Sequence, residues 1–484
     1  MKKIARDLAR LDKKYLWHPF TQMADWEKEE ILIVERAEGS YLIDTKGRRY
    51  LDGVSSLWCN VHGHRVLEID RAIQDQLKKV AHSTFLGLSN VPAIRLAEKL
   101  ISILPEGLTR VFYSDSGSEA VEIALKMAYQ YWQQKGEKQK TKFARLTNAY
   151  HGDTLGAVSV GGIQLFHDLY RPLLFETYEI PAPFVYRNGR NGGVTGSATL
   201  QQPGTRSNAS GVQVRDEALQ EMESIFKKHS HEIAALVMEP LMQGAAGMID
   251  QPAGYISGVR DLTRRYNILL IFDEVATGFG RTGRMFAADH EKVTPDLMTA
   301  AKGLTGGYLP LAVTLTTEKI YQEFLGDYSE FKTFFHGHTY TANPLACRAA
   351  LASLDLFGKK KTLEKLVKKI DFLKDRLKAF RNLSQVGDIR QVGFMVGIEL
   401  VRDRHTKEPY PLEMKMGMRV VQEARKRGVI LRPLGNVIVL MPPLGISMKE
   451  LEQLIDRTYD SIRVVTGTII KKEAMCGRVE ESRG

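Results

Sequence analysis

The sequence predicts an α/β fold in which helices cover both faces of a mostly parallel sheet, followed by a smaller α+β unit. Three observations predict it. The chain has 484 residues, of which 43% are hydrophobic and 26% charged, enough for two or three structural units of ordinary globular composition. From residue 66 onward, helical patterns alternate with short apolar runs, which is typical of parallel sheets. After Pro344 the pattern changes to long helices and then strands.

The elements follow in order from turn residues and periodicity. Two short apolar runs, Tyr41–Asp44 and Arg49–Asp52, flank a turn that contains Gly47, and this pattern predicts a β-hairpin. Apolar residues at helical spacing then predict helices at 66–80, 93–104, 118–134, 216–229 and 254–266. Continuous apolar runs predict strands at 110–113, 233–238, 268–272 and 311–315. The later unit is predicted to contain helices at 345–357, 362–380 and 449–465 and strands at 394–400 and 437–440.

Two segments have no such periodicity. Residues 186–215 are rich in Gly, Ser, Thr, Asn and Gln, so we expect a long surface loop there. Residues 471–484 are charged, and we expect them to fray at the end of the chain.

The charge balance does not point to nucleic acid. The chain has 68 Lys and Arg against 57 Asp and Glu, a formal net charge of +11, and the surplus is scattered. The densest basic runs, 359–361 and 368–369, lie among apolar residues at helical spacing, so a solvated helix face explains them. A basic nucleic-acid-binding protein is the competing interpretation of a different class, and salt-dependent binding to DNA or RNA would support it.

The three cysteines, Cys59, Cys347 and Cys476, are too few and too far apart for a disulfide framework or a zinc site, which fits a reducing compartment. The charged N-terminus lacks the apolar centre of a secretory signal, and no apolar run reaches the 18 or so residues that a membrane helix needs. We therefore expect a cytoplasmic protein without membrane attachment.

The most informative stretch is 268–283, where an apolar run delivers Asp273 and Glu274 to its carboxyl end before a Gly-rich loop. Ligands of open α/β sheets bind at that edge. A carboxylate placed there can pair with a protonated ring nitrogen or with a metal. An isolated Asp would be a turn cap, but its companion motifs favour a functional role.

Three further motifs could accompany that carboxylate. The Ser/Gly-rich turn at 114–118 runs into an amphipathic helix, whose free N–H groups suit a phosphate, although ordinary helix capping explains it equally well. Lys302 emerges from a small-residue segment, where desolvation would make its amine a nucleophile able to form an imine. Tyr150 offers an aromatic face in a loop after a strand-like run. His336 and His338 lack a nearby carboxylate or third histidine in the sequence, so we expect no metal site.

An imine-forming Lys, a carboxylate for a pyridinium nitrogen, an aromatic ring to stack and a phosphate cup are the requirements of a pyridoxal 5'-phosphate enzyme. The order and wording of the motifs resemble the fold-type I, class III aminotransferases over the whole chain outside 186–215 and the tail. The resemblance implies a large cofactor-binding domain at 66–345 with a seven-stranded, mostly parallel sheet. It also implies a small α+β domain built from residues 346–484 and the N-terminal segment, residues 1–65.

The resemblance assigns roles to matching residues. It implies that Lys302 bonds the cofactor as an imine, that Asp273 pairs with the pyridine nitrogen, that Tyr150 stacks on the ring, and that Gly117 and Ser118 bind the phosphate. His338 and Thr339 resemble the segment that completes the phosphate site of the neighbouring subunit, so a homodimer with shared active sites is implied. The implied substrate-binding residues are Phe20, Trp58, Tyr150, Lys302, Gly337 and Arg432. Arg432 would hold a substrate carboxylate with its planar fork of donors, and Glu239 would tune polarity near the cofactor.

Within that family, the chain is similar to the members that aminate 8-amino-7-oxononanoate to 7,8-diaminononanoate in biotin biosynthesis. The segments that carry this similarity are 17–23, 52–58, 61–64, 150–153, 273–283, 336–339 and 431–435. Phe20 and Leu57 replace the Tyr and Trp of members that take the amino group from S-adenosylmethionine, so lysine is the expected donor and S-adenosylmethionine the other candidate. An aminotransferase for ω-amino acids, ornithine or γ-aminobutyrate is the alternative activity.

Overall fold

The computed structural model describes residues 2–187 and 210–481, and most of the predicted loop at 186–215 therefore lies outside the described residues. Its strands are β1 (Val34–Glu38), β2 (Tyr41–Asp44), β3 (Arg49–Asp52), β4 (Leu108–Ser114), β5 (Lys142–Leu146), β6 (Thr177–Ile180), β7 (Ile233–Met238), β8 (Met242–Gln243), β9 (Ile249–Asp250), β10 (Leu269–Asp273), β11 (Leu297–Ala300), β12 (Ala312–Thr317), β13 (Val386–Val392), β14 (Met395–Asp403), β15 (Glu408–Pro409), β16 (Val429–Ile430), β17 (Arg432–Leu434) and β18 (Val437–Leu440).

The helices alternate with these strands through the large central part and then become longer. Apart from short 3₁₀ helices and the left-handed turn Ser55–Trp58, they are Lys2–Tyr15, Met23–Trp26, Leu67–Leu77, Val91–Ile101, Gly117–Gln134, Leu155–Ser159, Gln164–His167, Gly211–His229, Tyr255–Arg265, Glu318–Gln322, Pro344–Lys359, Thr362–Leu377, Met416–Lys426 and Met448–Glu481.

The central sheet has seven strands in the order β4-β12-β11-β10-β7-β5-β6. β12 is antiparallel to both of its neighbours, and the other six strands run in one direction. Every residue of β7 and β10 is buried, because helices cover both faces of the sheet. The predicted α/β class with a mostly parallel, seven-stranded sheet is confirmed.

Among the described residues three further sheets lie outside the central one, and the smallest is the antiparallel pair β8 and β9. The C-terminal part forms an antiparallel sheet in the order β13-β14-β18-β17, with β15 paired to β14. The predicted hairpin, β2 and β3, belongs to a sheet with β1 and β16, in which β16 pairs in parallel with β3. The N-terminal segment and the C-terminal part therefore share a sheet. The domain boundaries themselves, at 65/66 and 345/346, stay a prediction.

Two expectations for the chain ends and loops need correction. The helix predicted at 449–465 extends to Glu481, so residues 471–481 are helical where fraying was expected. No proline interrupts this stretch, and its first half is anchored by buried Leu451, Leu454 and Ile462. The predicted loop ends earlier than expected, because Ser210 caps a helix that starts at Gly211 by accepting from the Gln213 amide.

No helix within the described residues is both long and apolar enough to cross a lipid bilayer.

Candidate active site

The candidate site is a cavity of about 670 Å³ at the carboxyl edge of the central sheet. β4, β5, β7, β10 and β11 all end at this edge, so the loops that follow them meet there. These loops supply Ser116, Gly117, Ser118, Tyr150, His151, Gly152, Glu239, Asp273 and Lys302 to the cavity wall. The expectation that a strand end presents the chemistry therefore has a direct structural basis.

Asp273 is the last residue of β10 and is held from several sides. Its Oδ2 atom lies 2.7 Å from Nδ1 of His151. Its Oδ1 atom accepts hydrogen bonds from the Val275 amide at 3.0 Å and the Thr299 hydroxyl at 3.3 Å. Because a carboxylate can only accept, Nδ1 of His151 carries the hydrogen, and the carboxylate is fixed in orientation. Both side chains are buried.

Lys302 follows β11, and its backbone lies in the left-handed region with φ of 45°. Its Nζ atom is 5.4 Å from the centre of the Trp58 ring. Burial lowers the pKa of Lys302 from its ordinary 10.5, while the negative charges of Asp273 and Glu239 act in the opposite direction. A larger fraction of this amine is neutral, and thus nucleophilic, than for a solvated lysine.

Glu239 comes directly after β7 and joins two loops of the site. It accepts hydrogen bonds from the Gly244 amide at 2.8 Å and the Tyr150 amide at 3.3 Å. Burial raises the pKa of Glu239 to about 7, and the nearby charge of Asp273 adds to the increase. The carboxyl group therefore orients the Tyr150 loop.

A turn between β4 and the helix Gly117–Gln134 forms the polar end of the cavity. Ser116 and Glu119 form a capping box at the helix start, so the local sequence defines this end of the helix. The Ser118 hydroxyl lies 2.8 Å from the Thr154 hydroxyl and accepts from the Thr154 amide at 3.1 Å. A Cβ atom on Gly117 would lie 2.7 Å from Val275. The helix N-terminus thus meets the cavity at a position where only glycine fits.

Seven of the predicted site residues line this one cavity, namely Trp58, Gly117, Ser118, Tyr150, Glu239, Asp273 and Lys302. Sequence positions as far apart as 58 and 302 therefore converge on one space. Tyr150 additionally donates from its hydroxyl to Asp153 at 2.8 Å.

Five predicted residues are not among the described residues that line the cavity: Phe20, Gly337, His338, Thr339 and Arg432. Phe20 is linked to Tyr150 through one ring, because it packs edge-on against Phe166, which in turn contacts the Tyr150 ring. Burial lowers the pKa of Arg432, and a negative charge on Tyr150 would act in the opposite direction, so the two side chains lie within electrostatic range of each other.

His338 has a different environment. Its Nδ1 atom lies 3.5 Å from the Asp115 carboxylate of its own chain, beside the turn at the polar end of the cavity. Gly337 has open space on its Cα, with Leu86 as the nearest side chain at 3.8 Å from a built Cβ.

Sequence reasoning missed two buried residues of the site. His151 follows Tyr150 in a motif that the sequence analysis noted, but its pairing with Asp273 spans 122 positions. Arg281 lies in the Gly-rich loop after β10 and is fully buried.

The cavity fits pyridoxal 5'-phosphate. Its volume lies within the roughly 300–1,000 Å³ typical of ligand pockets. Its wall includes a helix N-terminus with the Ser118 hydroxyl, which suit a phosphate, and the amine of Lys302. The oriented Asp273 carboxylate suits a protonated ring nitrogen. Gly152 allows the Ser118 hydroxyl to approach its loop closely, since a Cβ at Gly152 would lie 2.4 Å from that hydroxyl.

Comparison with known proteins gives a consistent result. The family model described as "Aminotransferase class-III" matches residues 22–462. A relative from Anoxybacillus flavithermus named adenosylmethionine-8-amino-7-oxononanoate aminotransferase is 55% identical over 450 residues, 93% of this chain and 95% of that protein. The crystal structure of the protein of that name from Methanocaldococcus jannaschii superposes with a TM-score of 0.87 at 47% identity, covering 96% of this chain and 99% of the other. An (S)-enantioselective omega-transaminase from Thermomicrobium roseum superposes with a TM-score of 0.88 at 34% identity, covering 95% and 99%.

Proposed function

The chain belongs to the class-III aminotransferases and is a pyridoxal-phosphate-dependent enzyme, and on that premise we propose that it converts 8-amino-7-oxononanoate to 7,8-diaminononanoate. The observation that carries the proposal is the 55% identity, over almost the full length of both chains, to a relative named for this acceptor. The biotin pathway follows from the acceptor, and a cytoplasmic location stays a prediction.

We propose that the residues gathered in the cavity hold the cofactor in the roles expected from the sequence. Lys302 bonds it covalently, Asp273 keeps its ring nitrogen protonated, and Tyr150 covers its ring. Gly117 and Ser118 bind its phosphate at the helix N-terminus. When bound, pyridoxal phosphate supplies an electron-withdrawing ring that accepts the electron pair left behind when the donor carbon loses a proton.

The protein's own groups then move the protons. Once the donor amine has displaced Lys302 from the cofactor, the freed and neutral Lys302 amine would take the proton from the amino-bearing carbon of the donor. In the second half of the cycle it would return one to the carbon that receives the amino group. Asp273, oriented by His151 and Thr299, stabilises positive charge on the ring nitrogen throughout. Because donor and acceptor use the same cavity in turn, ping-pong kinetics are expected.

The acceptor site is proposed to extend from the cavity toward Tyr150. Trp58 forms an apolar wall beside Lys302, and Phe20 continues the aromatic surface through Phe166. Arg432, near Tyr150, would bind the acceptor carboxylate at the far end of the aliphatic chain. Gly337 belongs to the same proposed site by resemblance alone.

We propose S-adenosylmethionine as the amino donor, because the relatives at 46–55% identity carry that compound in their names. Lysine is the alternative. The observation that favours lysine is the absence of a polar aromatic side chain at Phe20 and Leu57, both of which are exposed at the surface of the single chain.

We also propose that the active enzyme is a homodimer in which His338 and Thr339 complete the phosphate site of the partner subunit. Large apolar side chains stand exposed on the single chain, including Trp17 at 89% and Tyr328 at 95%, and such groups are typical of protein interfaces. Leu86, close to Gly337, is exposed in the same way.

The decisive experiment incubates the cofactor-loaded enzyme with 8-amino-7-oxononanoate and either S-adenosylmethionine or lysine, and measures 7,8-diaminononanoate by mass spectrometry. We expect diamine with S-adenosylmethionine. Faster formation with lysine would reverse the donor assignment and leave the acceptor intact. The Lys302→Ala variant, which keeps the cavity but loses the amine, is the matched control and should form no diamine above background.

A second activity has one observation in its favour, which is the structural similarity to the omega-transaminase of Thermomicrobium roseum. The same assay with ornithine and γ-aminobutyrate as donors and small oxo acids as acceptors tests it. Turnover of these compounds without any diamine formation would replace the proposed function by that alternative.

A further inference from the structure

The loop after β5 forms one wall of the cavity. Five consecutive residues, 150–154, line it, and they lead directly into the short helix Leu155–Ser159, which we name the wall helix. All residues of the wall helix after Leu155 are buried, and Ala157 shares an apolar cluster with Val121 of the helix Gly117–Gln134. The position of the wall helix therefore determines where the cavity wall ends.

The wall helix lacks the cap that its own sequence offers. Thr154 is its N-cap residue, and the hydroxyl of such a residue normally accepts a hydrogen bond from an amide of the first turn. The Thr154 hydroxyl makes no such bond and lies instead 2.8 Å from the Ser118 hydroxyl. The first-turn amides of Gly156 and Ala157 therefore need another acceptor.

Glu122 supplies that acceptor. Its Oε1 atom accepts from the Gly156 amide at 2.7 Å and from the Ala157 amide at 3.2 Å. Its Oε2 atom lies so close to Gly156 that a Cβ at this position would come within 2.1 Å. The glycine is thus what allows the carboxylate to reach the wall helix, where a negative charge also suits the helix N-terminus.

Glu122 and Ser118 lie on one face of the helix Gly117–Gln134, because residues four apart are neighbours on a helix surface. Ser118 accepts from the Thr154 amide at 3.1 Å and contacts its hydroxyl, while Glu122 binds the two amides that follow. The helix whose N-terminus meets the cavity therefore also holds the end of the cavity wall. Because Glu122 satisfies the amides, the Thr154 hydroxyl stays available to Ser118.

We propose that Glu122 is a positioning residue for the cofactor phosphate, which caps the wall helix in place of Thr154 and thereby keeps the Thr154 hydroxyl on Ser118. Without this carboxylate, the Thr154 hydroxyl would turn to the amides of its own helix, as N-cap residues usually do. Ser118 would then lose the partner that orients its hydroxyl. Glu122 does not line the cavity, so it acts through these two residues. The inference rests on the proposed function only in placing the phosphate at Ser118.

The test compares the binding of pyridoxal 5'-phosphate with that of pyridoxal, which lacks the phosphate, to the cofactor-free protein. For Glu122→Ala we expect the Kd for pyridoxal 5'-phosphate to rise by about tenfold, as on loss of one hydrogen bond to a charged group, while the Kd for pyridoxal changes by less than about twofold. Glu122→Gln keeps an oxygen that both amides can reach, so it should restore most of the affinity. Equal losses for the two compounds would overturn the proposal, because they would indicate general damage to the cavity.

The matched control is Glu291→Ala. Glu291 caps the helix Tyr255–Arg265 in the same manner, since its carboxylate accepts from the amides of Gly254 at 2.7 Å and Ser257 at 2.9 Å. It does not line the cavity, so this variant should lose thermal stability and keep the parent Kd for both compounds. A loss of affinity as large as that of Glu122→Ala would contradict a specific role of Glu122.

A double-mutant cycle with Thr154→Val tests the proposed route. Valine has no hydroxyl, so the contact with Ser118 is absent whether or not Glu122 is present. In this background Glu122→Ala should change the Kd for pyridoxal 5'-phosphate by less than about twofold, because the residue through which it acts has already been altered. The same loss in both backgrounds would show that Glu122 does not act through Thr154, and the proposal would be wrong.

Two further variants keep the result decisive if Glu122→Ala folds poorly or the phosphate lies elsewhere. Gly156→Ala displaces the same carboxylate without removing it and should also raise the Kd for pyridoxal 5'-phosphate. An unchanged Kd in that variant would contradict the role of Glu122. Ser118→Ala tests the phosphate site itself. If it binds both compounds as the parent does, the proposed phosphate site is wrong and the role of Glu122 with it, whereas a loss in Ser118→Ala alone would contradict only the role of Glu122.

Discussion

Asp273 and His151 form the part of the site in which a single substitution should separate chemistry from folding. Replacing Asp273→Asn keeps the size and the neighbours of the side chain but removes the negative charge that we assign to the ring nitrogen. Activity should fall by about a hundredfold or more, as on loss of other oriented electrostatic groups. Turnover assays and thermal melting measure the two effects. The exposed Asp168→Asn serves as control, and normal turnover in the Asp273 variant would show that another group protonates the ring.

Lys302 should show its lowered pKa in the pH dependence of cofactor loading. Only the neutral amine bonds to an aldehyde, and its fraction rises as pH increases through the pKa. Burial places that pKa below the ordinary 10.5, so loading should accelerate at lower pH than for a free lysine side chain. The measurement follows reconstitution of the cofactor-free protein against pH, with borohydride trapping and Nα-acetyl-lysine as reference. Coincident profiles would contradict a desolvated amine.

At the same scale, the sequence could predict two of the groups that meet in the cavity but not their partners. Asp273 was predicted because it follows an apolar run, at the edge where ligands of such sheets bind, and Lys302 because it emerges from a small-residue segment. His151, the partner of Asp273, could not be predicted in the same way, because the two residues are 122 positions apart and only the parallel order of β5, β7 and β10 brings them together. Arg281 was hidden for the same reason, because its partners lie more than 160 positions away in both directions.

Among the elements, strands and helices were predicted well where apolar periodicity decides and poorly where the backbone is unusual. Four of the central strands, β4, β7, β10 and β12, matched because buried positions must be apolar. The short strands β6 and β11 were not predicted. The antiparallel direction of β12 carries no local signal, since direction depends on the connection and not on composition. The left-handed turn Ser55–Trp58 was not predicted either, because no glycine marks its left-handed residues.

A left-handed position between two helices offers a stability test at the element scale. Lys361 has φ of 52° where the helix Pro344–Lys359 ends and the helix Thr362–Leu377 begins. Replacing Lys361→Gly relieves about 1 kcal/mol of the cost of a side chain there. The exposed ion pair with Glu364 at 3.9 Å contributes little to stability. Urea unfolding should show a higher midpoint.

The neighbouring Lys360→Gly is the control for that test. Lys360 has φ of −94°, so glycine gains nothing there and adds freedom to the unfolded chain. Its midpoint should fall. A lower midpoint for Lys361→Gly as well would mean that the positive φ carries no strain.

At the scale of the whole molecule, pairing between strands that are far apart in the sequence determines the arrangement that the helix and strand patterns could not predict. β16 joins β3 across more than 370 positions, which links the N-terminal segment to the C-terminal part. The alternation of helices and runs predicted the α/β class but gave no indication of this shared sheet. The proposed dimer adds a further level of structure. Thr339 is absent from the cavity wall of its own chain, so it would contribute to a site only in a second copy of the chain.

That proposal predicts rescue between two inactive variants. Lys302→Ala lacks the amine, and Thr339→Glu places a negative charge where we expect the partner's phosphate. In a mixed dimer, one site would contain an intact Lys302 from one subunit and an intact Thr339 from the other. Half of the randomly assembled dimers would contain one copy of each variant, and each of these would have one intact site out of two. About a quarter of the parent activity should therefore return after joint refolding.

The control for this rescue is a joint refolding of two separate variants, Lys302→Ala and Asp273→Asn. Lys302 and Asp273 line the same cavity of one chain, so a dimer that contains one copy of each variant has no intact site. Activity should therefore stay at the level of the separate variants. If the Lys302→Ala and Thr339→Glu mixture behaves the same way although mixed dimers are present by native mass spectrometry, Thr339 acts within its own chain. The shared site would then be wrong, while the cofactor roles of Lys302 and Asp273 would stand.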